Sequence, residues 1–243
     1  IGENGSNDYT FDLIQKNIIL NDKISLIDTT FIEEFSDRIK RLALARQKLK
    51  NHLIDTKINP KFVCVVDLDD VLNKNFNRDL IDNLLKILEN DNNKYFGVSL
   101  NSEPYYYDIL NFESDEFPNK GVKQLQNNRS INSYPARKKF IYSVQKSLTK
   151  KKKFDCISGF NGLCLYIYKD FIQSDYLEKN NDPSPEHLYL NRNLSHKTGK
   201  RILVTENFLQ MPQEHKPLDN IFLFVMEKLF KYIAIYFKKL RLR

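Results

Sequence analysis

Cysteine is scarce in this 243-residue chain, and the three present do not cluster. Cys64, Cys156 and Cys164 each lie in an apolar, strand-like run, and none belongs to a C-x-x-C pair or a Cys/His ligand spacing. They read as reduced core residues of a cytoplasmic protein, not as a zinc module or a disulfide frame. The opening IGENGSND offers neither an initiator Met nor a charged-then-apolar leader, so the chain is expected to begin inside a longer protein. No internal repeat is visible. After residue 100 there is no Gly-Asp-x-x-x-Asp or Asp-Asp pair, which removes one common kind of downstream acidic metal site.

What is present is enough for a core. Hydrophobic residues make up 41% and aromatics 12%, which argues against disorder despite the many Asn and Lys. Strand-like and helix-like stretches alternate, so the expected fold class is α/β with a mostly parallel, Rossmann-like sheet flanked by helices. One domain over residues 1–212 and a basic amphipathic tail over 213–243 account for the length. Ile1–Glu3 reads as the end of a first strand, NGSND as a turn and helix cap, and residues 24–28 as a second strand. Residues 37–54 have helical spacing, with Arg38, Arg41 and Arg46 assigned to a basic face. Helices are expected over about 77–89, 136–148 and 169–178 and from Pro185 onward, and strands at 62–67, 95–100, within 154–168 and at 200–204. The stretch SEPYYYDILNFESDEFP gives no firm pattern.

The most informative line is FVCVVDLDDVLN, residues 62–73, where an apolar strand runs into Asp67, Asp69 and Asp70. Carboxylates gathered at a strand's carboxyl end suit two chemistries: attack on phosphorus, or capture of a divalent metal against a diphosphate. The first is the pattern of haloacid dehalogenase-like phosphatases. Their nucleophile strand normally comes first in the chain, whereas here a βα unit and a long basic helix precede it.

Four stretches in order, ENGSND, RIKRLALARQKL, CVVDLDDV and SPEHLYLNRNLSHKTGKRILV, resemble the nucleotide-sugar glycosyltransferases of the GT-A fold, particularly bacterial, fungal and viral surface-glycan enzymes. SGFNGLCLYIY is similar to their acceptor-side Gly-Gly strand, and PYYYDIL to their Tyr-Tyr-Asp segment. Gln47 stands where the group often has Asn, and Asn161 where a first Gly is common before Gly162.

The resemblance implies a nucleotide-sugar donor, a saccharide or lipid-linked saccharide acceptor, and Mn2+ or Mg2+ as cofactor. It implies Asp69 as the direct metal ligand, Asp67 reaching ribose or a metal-bound water, and Asp70 in support. Glu3, Asn4, Ser6 and Asp8 take the nucleoside side, and one or two of Arg38, Arg41 and Arg46 approach base or diphosphate. Glu186 is the implied general base of an inverting transfer, with His187 as the second choice for base or as a metal ligand. A helix cap explains the Glu3–Asp8 turn equally well, and a helix start explains Glu186. A non-catalytic binding protein of the same fold remains the alternative from a different class.

Net charge is +7, and its distribution matters more than its total. Between Asp219 and Arg243, Lys228, Lys231, Lys238, Lys239, Arg241 and Arg243 face only Asp219 and Glu227, so +4 of the +7 lies there. The segment's internal charges disfavour a spanning helix, and an interfacial helix on an anionic membrane surface fits the pattern. A helix packed on protein is the competing reading. Lys150–Lys153 lacks interleaved aromatics, so no nucleic acid is expected.

Overall fold

The structure, a computed structural model, describes residues 1–68, 71–72, 77–117, 134–177, 184–212, 216–217, 220–226, 228–230 and 233. Strand β1 (Gly2–Glu3), helix α1 (Thr10–Leu20) and strand β2 (Ile27–Asp28) form a small βαβ unit whose strands pair in parallel. Asp8 accepts the Thr10 amide at 2.9 Å beside the helix start, as its sequence position predicts. Helix α2 (Arg38–Asp55) starts from an Asp37 cap that accepts the Ile39 and Lys40 amides at 2.8 and 3.3 Å. A short strand unit and a long capped helix thus precede β3 (Phe62–Val66).

Downstream come α3 (Arg78–Asn90), β4 (Tyr95–Glu103), β5 (Phe112–Glu113), α4 (Tyr134–Arg137) and α5 (Ser143–Lys151). A π-turn at Lys138–Tyr142 joins α4 to α5, where the sequence pattern indicates one helix. Then follow β6 (Phe154–Cys156), β7 (Ser158–Gly159), β8 (Leu163–Ile167), α6 (Tyr168–Phe171), α7 (Glu186–Thr198) and β9 (Arg201–Gln210). The helix expected over 169–178 is therefore a single turn. Phe171, at its end, and Tyr176, in the bend that follows, both pack inward without a continuing helix. Gly199, at φ +69°, ends α7 in the left-handed conformation that favours glycine.

The main sheet has the order β3-β8-β4-β9-β6 and is mixed. Strand β8 lies antiparallel to both β3 and β4, β4 and β9 are parallel, and β6 is antiparallel to β9. The expectation of a mostly parallel sheet gives way because an apolar run reports burial on both faces, not the direction of its neighbour. Alternation along β8 shows the two faces. Cys164 and Tyr166 join one cluster with Phe96, Phe160, Leu190 and Leu194, while Leu163 and Leu165 join the other with Leu84, Leu88 and Val98. Helices α5 and α7 cover the first face and α3 the second, so the domain is a helix–sheet–helix sandwich.

Cys156 and Cys164 are buried as expected, but Cys64 is exposed. It sits on β3, an edge strand of the sheet among the described residues. Among the described residues no helix is long and apolar enough to cross a membrane.

Gly162 turns the chain into β8 at φ +90°, and a Cβ there would lie 2.9 Å from a Val71 side-chain carbon. Its carbonyl also accepts the Asp67 amide at 2.8 Å, which extends the β3–β8 ladder to the first aspartate. Gly162→Ala is accordingly expected to cost about 1–3 kcal/mol in denaturant unfolding, from strain and the forced shift of Val71. An unchanged midpoint would show that the turn relaxes freely.

Candidate active site at the carboxyl end of β3

Asp67 follows β3 directly, so the ladder that fixes the strand also fixes where its carboxylate starts. Arg46 reaches it from α2. Within that helix Ala43, Gln47 and Lys50 are buried, and Arg46 lies with this inward side, not with the basic solvent face to which spacing assigns it. Its Nη2 donates to Asp67 Oδ1 at 2.6 Å and its Nε to Glu186 Oε1 at 3.0 Å. The guanidinium carbon stands 5.4 Å from the centre of the Phe160 ring. Burial works against the cation, yet Asp67 and then Glu186 outweigh it and raise its pKa further. One guanidinium therefore joins residues 21 and 140 positions away in sequence.

Glu186 occupies the first turn of α7, where a carboxylate is favoured by the exposed amides and the helix dipole. Asn111 holds that terminus from outside. Its Oδ1 accepts the Leu188 amide at 2.9 Å, and its Nδ2 donates to Asp108 Oδ2 at 2.6 Å. Asp108 is thereby tied to the same helix start. Its backbone amide donates to Asn161 Oδ1 at 2.9 Å, while Asn161 Nδ2 donates to the Leu100 carbonyl and the Ser102 hydroxyl, both at 3.0 Å.

No ammonium or guanidinium partners Asp108 among the described residues. Burial pushes its carboxyl up to about 7; the Asn111 hydrogen bond opposes this, and the negative charges of Glu186 and Asp67 add to it. Two carboxylates thus share one guanidinium, and Asp108 stands near them without a cation among the described residues.

His187 forms the apolar wall. It is fully buried, and its ring stacks on Phe160 at 3.4 Å between centroids and 8° between planes. Tyr176 meets it edge-on at 5.3 Å. Among the described residues neither ring nitrogen has a hydrogen-bond partner, nor does the Tyr176 hydroxyl. Burial, and then the positive charge of Arg46, hold the imidazole pKa well below its usual value, so the ring is neutral. Its Nε2 lies 3.9 Å from Glu186 Oε1.

Of the residues expected at the site, Arg46, Asp67, Glu186 and His187 come together. Asp69 and Asp70 lie outside the described residues. Arg38 and Arg41, near the amino end of α2, have no partner among the described residues and do not join the cluster. The nucleoside-side turn belongs to the separate β1–β2 sheet. There Glu3 spends its carboxylate on its own loop, accepting the Gly5 amide at 3.0 Å and the Ser6 amide at 2.6 Å, and these bonds lower its pKa. Asn4 and Ser6 are exposed, and Asp8 is engaged with Thr10. Among the described residues no three His, Cys, Asp or Glu side chains are grouped to hold a metal, and Asp69 and Asp70, the expected partners of Asp67 there, lie outside them.

Sequence reasoning missed Asp108, although PYYYDIL was set apart as a segment. It also missed the anchors of α2. Gln47 Oε1 accepts the Tyr176 amide at 2.8 Å and its Nε2 donates to Asp175 at 3.0 Å, while the buried Lys50 ammonium donates to the Ser174 carbonyl. Gln47 is therefore a packing residue in this structure. Its polarity could have marked it, since a Gln within an apolar helical stripe needs buried partners.

Two measurements follow from this geometry. Arg46→Ala leaves Asp67 and Glu186 without their shared countercharge and should cost about 3 kcal/mol in unfolding, whereas exposed Arg38→Ala should stay within about 0.5 kcal/mol. Equal effects would remove Arg46 from its central place. The second concerns pH. A carboxyl raised to about 7 in the folded chain, against about 4 unfolded, binds more protons in the native state between those values. Its contribution to stability therefore falls as pH rises through that window. Asp108→Asn should gain on the wild type as pH goes from 4 to 8, and a constant difference would contradict the raised pKa.

The cluster must be read from its own chemistry, because the chain matches no family model and no curated protein.

Proposed function

We propose that the protein is a glycosyltransferase of GT-A type, moving a sugar from a nucleoside-diphosphate donor to a saccharide or lipid-linked saccharide acceptor. The observation that carries this reading is the meeting of Asp67, Arg46 and Glu186, three residues that the resemblance selects from separate parts of the chain. Three cysteines without disulfide partners fit a cytoplasmic setting.

Transfer requires that negative charge on a leaving diphosphate be met as the anomeric carbon becomes cationic. Mn2+ or Mg2+ is the expected counter-ion, and hard carboxylate oxygens are the ligands such ions favour. The described residues do not complete a ligand set, and Asp69 lies outside them, so no step is derived through the ion. What these side chains do is hold position and move a proton. Arg46 fixes Asp67 and Glu186 relative to one another. Phe160, His187 and Tyr176 line an apolar side against them.

An acceptor hydroxyl must lose its proton as it attacks, and two carboxylates compete for that role. Glu186 has Oε1 bound by Arg46 and no hydrogen bond at Oε2 among the described residues. Asp108, pushed up to about 7, has the pKa suited to exchanging a proton near neutrality. The Asp108 reading has that tuning in its favour; the Glu186 reading has the resemblance.

A panel of nucleotide sugars, assayed for transfer and hydrolysis with and without Mn2+, tests the function. Asp69→Asn should abolish metal-dependent turnover with the fold intact. Whichever of Glu186→Gln and Asp108→Asn removes the base should lower kcat by about 10²–10⁴-fold with donor affinity nearly unchanged. Wild-type turnover in all three variants would remove catalysis from this cluster. Nucleotide binding without turnover of any donor would favour a binding protein of the same fold.

A further inference from the structure

Residues 221–226 and 228–230 are helical, and their arrangement reverses that of an ordinary surface helix. Phe224 is the residue turned inward, 5% exposed, with its ring 5.7 Å from that of Tyr134 and 5.6 Å from the Arg137 guanidinium carbon. Asn220 caps the segment by accepting the Phe222 amide at 2.8 Å. By contrast Phe222, Leu223, Val225, Leu229, Phe230 and Ile233 are between 42 and 65% exposed. At about 100° per residue, Phe222 falls within about 20° of the direction opposite Phe224, and Leu229, Phe230 and Ile233 are exposed in the helical residues beyond. Among the described residues of the segment Phe224 is the buried apolar side chain, and the exposed ones, Ile221 at 58% included, leave an apolar stripe open.

The occupant of that stripe must offer apolar depth and negative charge. Lys228 flanks the anchor, its Nζ 5.6 Å from the centre of the Phe224 ring. The sequence from Asp219 to Arg243 has six basic side chains against two acidic ones. A second copy of the chain would bring the same positive segment against itself, which like-charge repulsion disfavours. Anionic lipid meets both requirements, with acyl chains for the rings and head groups for the lysines and arginines.

We propose that this segment docks flat on an anionic bilayer, with Phe222, Leu229, Phe230 and Ile233 entering between head groups while Phe224 fastens the helix to the body. The proposal stands apart from the donor reading, and nucleotide binding by the same preparations reports on that reading separately.

The test is co-sedimentation of the full chain with phosphatidylcholine vesicles, with and without phosphatidylserine, at low and high salt. Binding is expected to the phosphatidylserine vesicles alone and to weaken with salt. The double variant Phe222→Glu, Phe230→Glu changes exposed side chains only, and circular dichroism checks its helix content. It should partition on the order of tenfold or more weaker. Leu229→Glu alone should show a smaller loss in the same direction. Failure of the full chain to bind phosphatidylserine vesicles at low salt would overturn the proposal, as would wild-type binding by the double variant. A chain that is dimeric in gel filtration and becomes monomeric with these substitutions would identify a second copy as the occupant instead.

Discussion

A single guanidinium sets the terms for the rest of the structure. Arg46 is buried enough to need countercharge, and it finds that charge on Asp67 from β3 and Glu186 from α7. Neither carboxylate is near it in sequence, so the ion pairs form only once α2, the main sheet and α7 have assembled. The cost of leaving any of the three charges unpaired makes that assembly all-or-none around the site. Gln47, next to Arg46, and Lys50, one turn further along α2, repeat the arrangement with polar bonds to residues 174–176. Helix α2 thereby fixes both the carboxylates and the loop bearing Tyr176.

The electrostatic consequence is an excess of negative charge. Burial first, and then the charges of Glu186 and Asp67, push the Asp108 carboxyl up to about 7, and no cation partners it among the described residues. Asn111 bonds both to Asp108 and to the amino terminus of α7, so the proton-holding group and the helix bearing Glu186 are positioned by one side chain. Against these polar groups stands an aromatic wall in which His187 is neutral and has no hydrogen-bond partner among the described residues. The result is a concentrated acidic locus with one apolar side, a setting in which an added cation or an exchangeable proton acts strongly.

Much of this was legible in the chain, and the gaps have physical reasons. The β3 strand, α3, β4, the start of α7 and β9 follow from periodicity and caps, because those residues are buried in simple alternation or in helical stripes. Strand direction was not legible, since β8 reads as an apolar run whichever way it runs. Arg46 was picked out but assigned to the solvent face, because spacing cannot show that a charge turns inward to meet carboxylates 21 and 140 residues away. Asp108 looked like one acid in an aromatic loop, and its burial, with the charges of Glu186 and Asp67 nearby, distinguishes it from other loop aspartates. Cys64 was misjudged because an edge strand exposes one side of an otherwise apolar run.

The central claim is that this acidic locus receives a nucleoside diphosphate through a divalent cation. Calorimetric titration of a nucleoside diphosphate into the full chain, with Mn2+ and again with chelator, measures it directly. The account predicts saturable binding with Mn2+ that is lost with chelator. Binding of equal strength without any divalent ion, or no binding in either case for every common base, would contradict it.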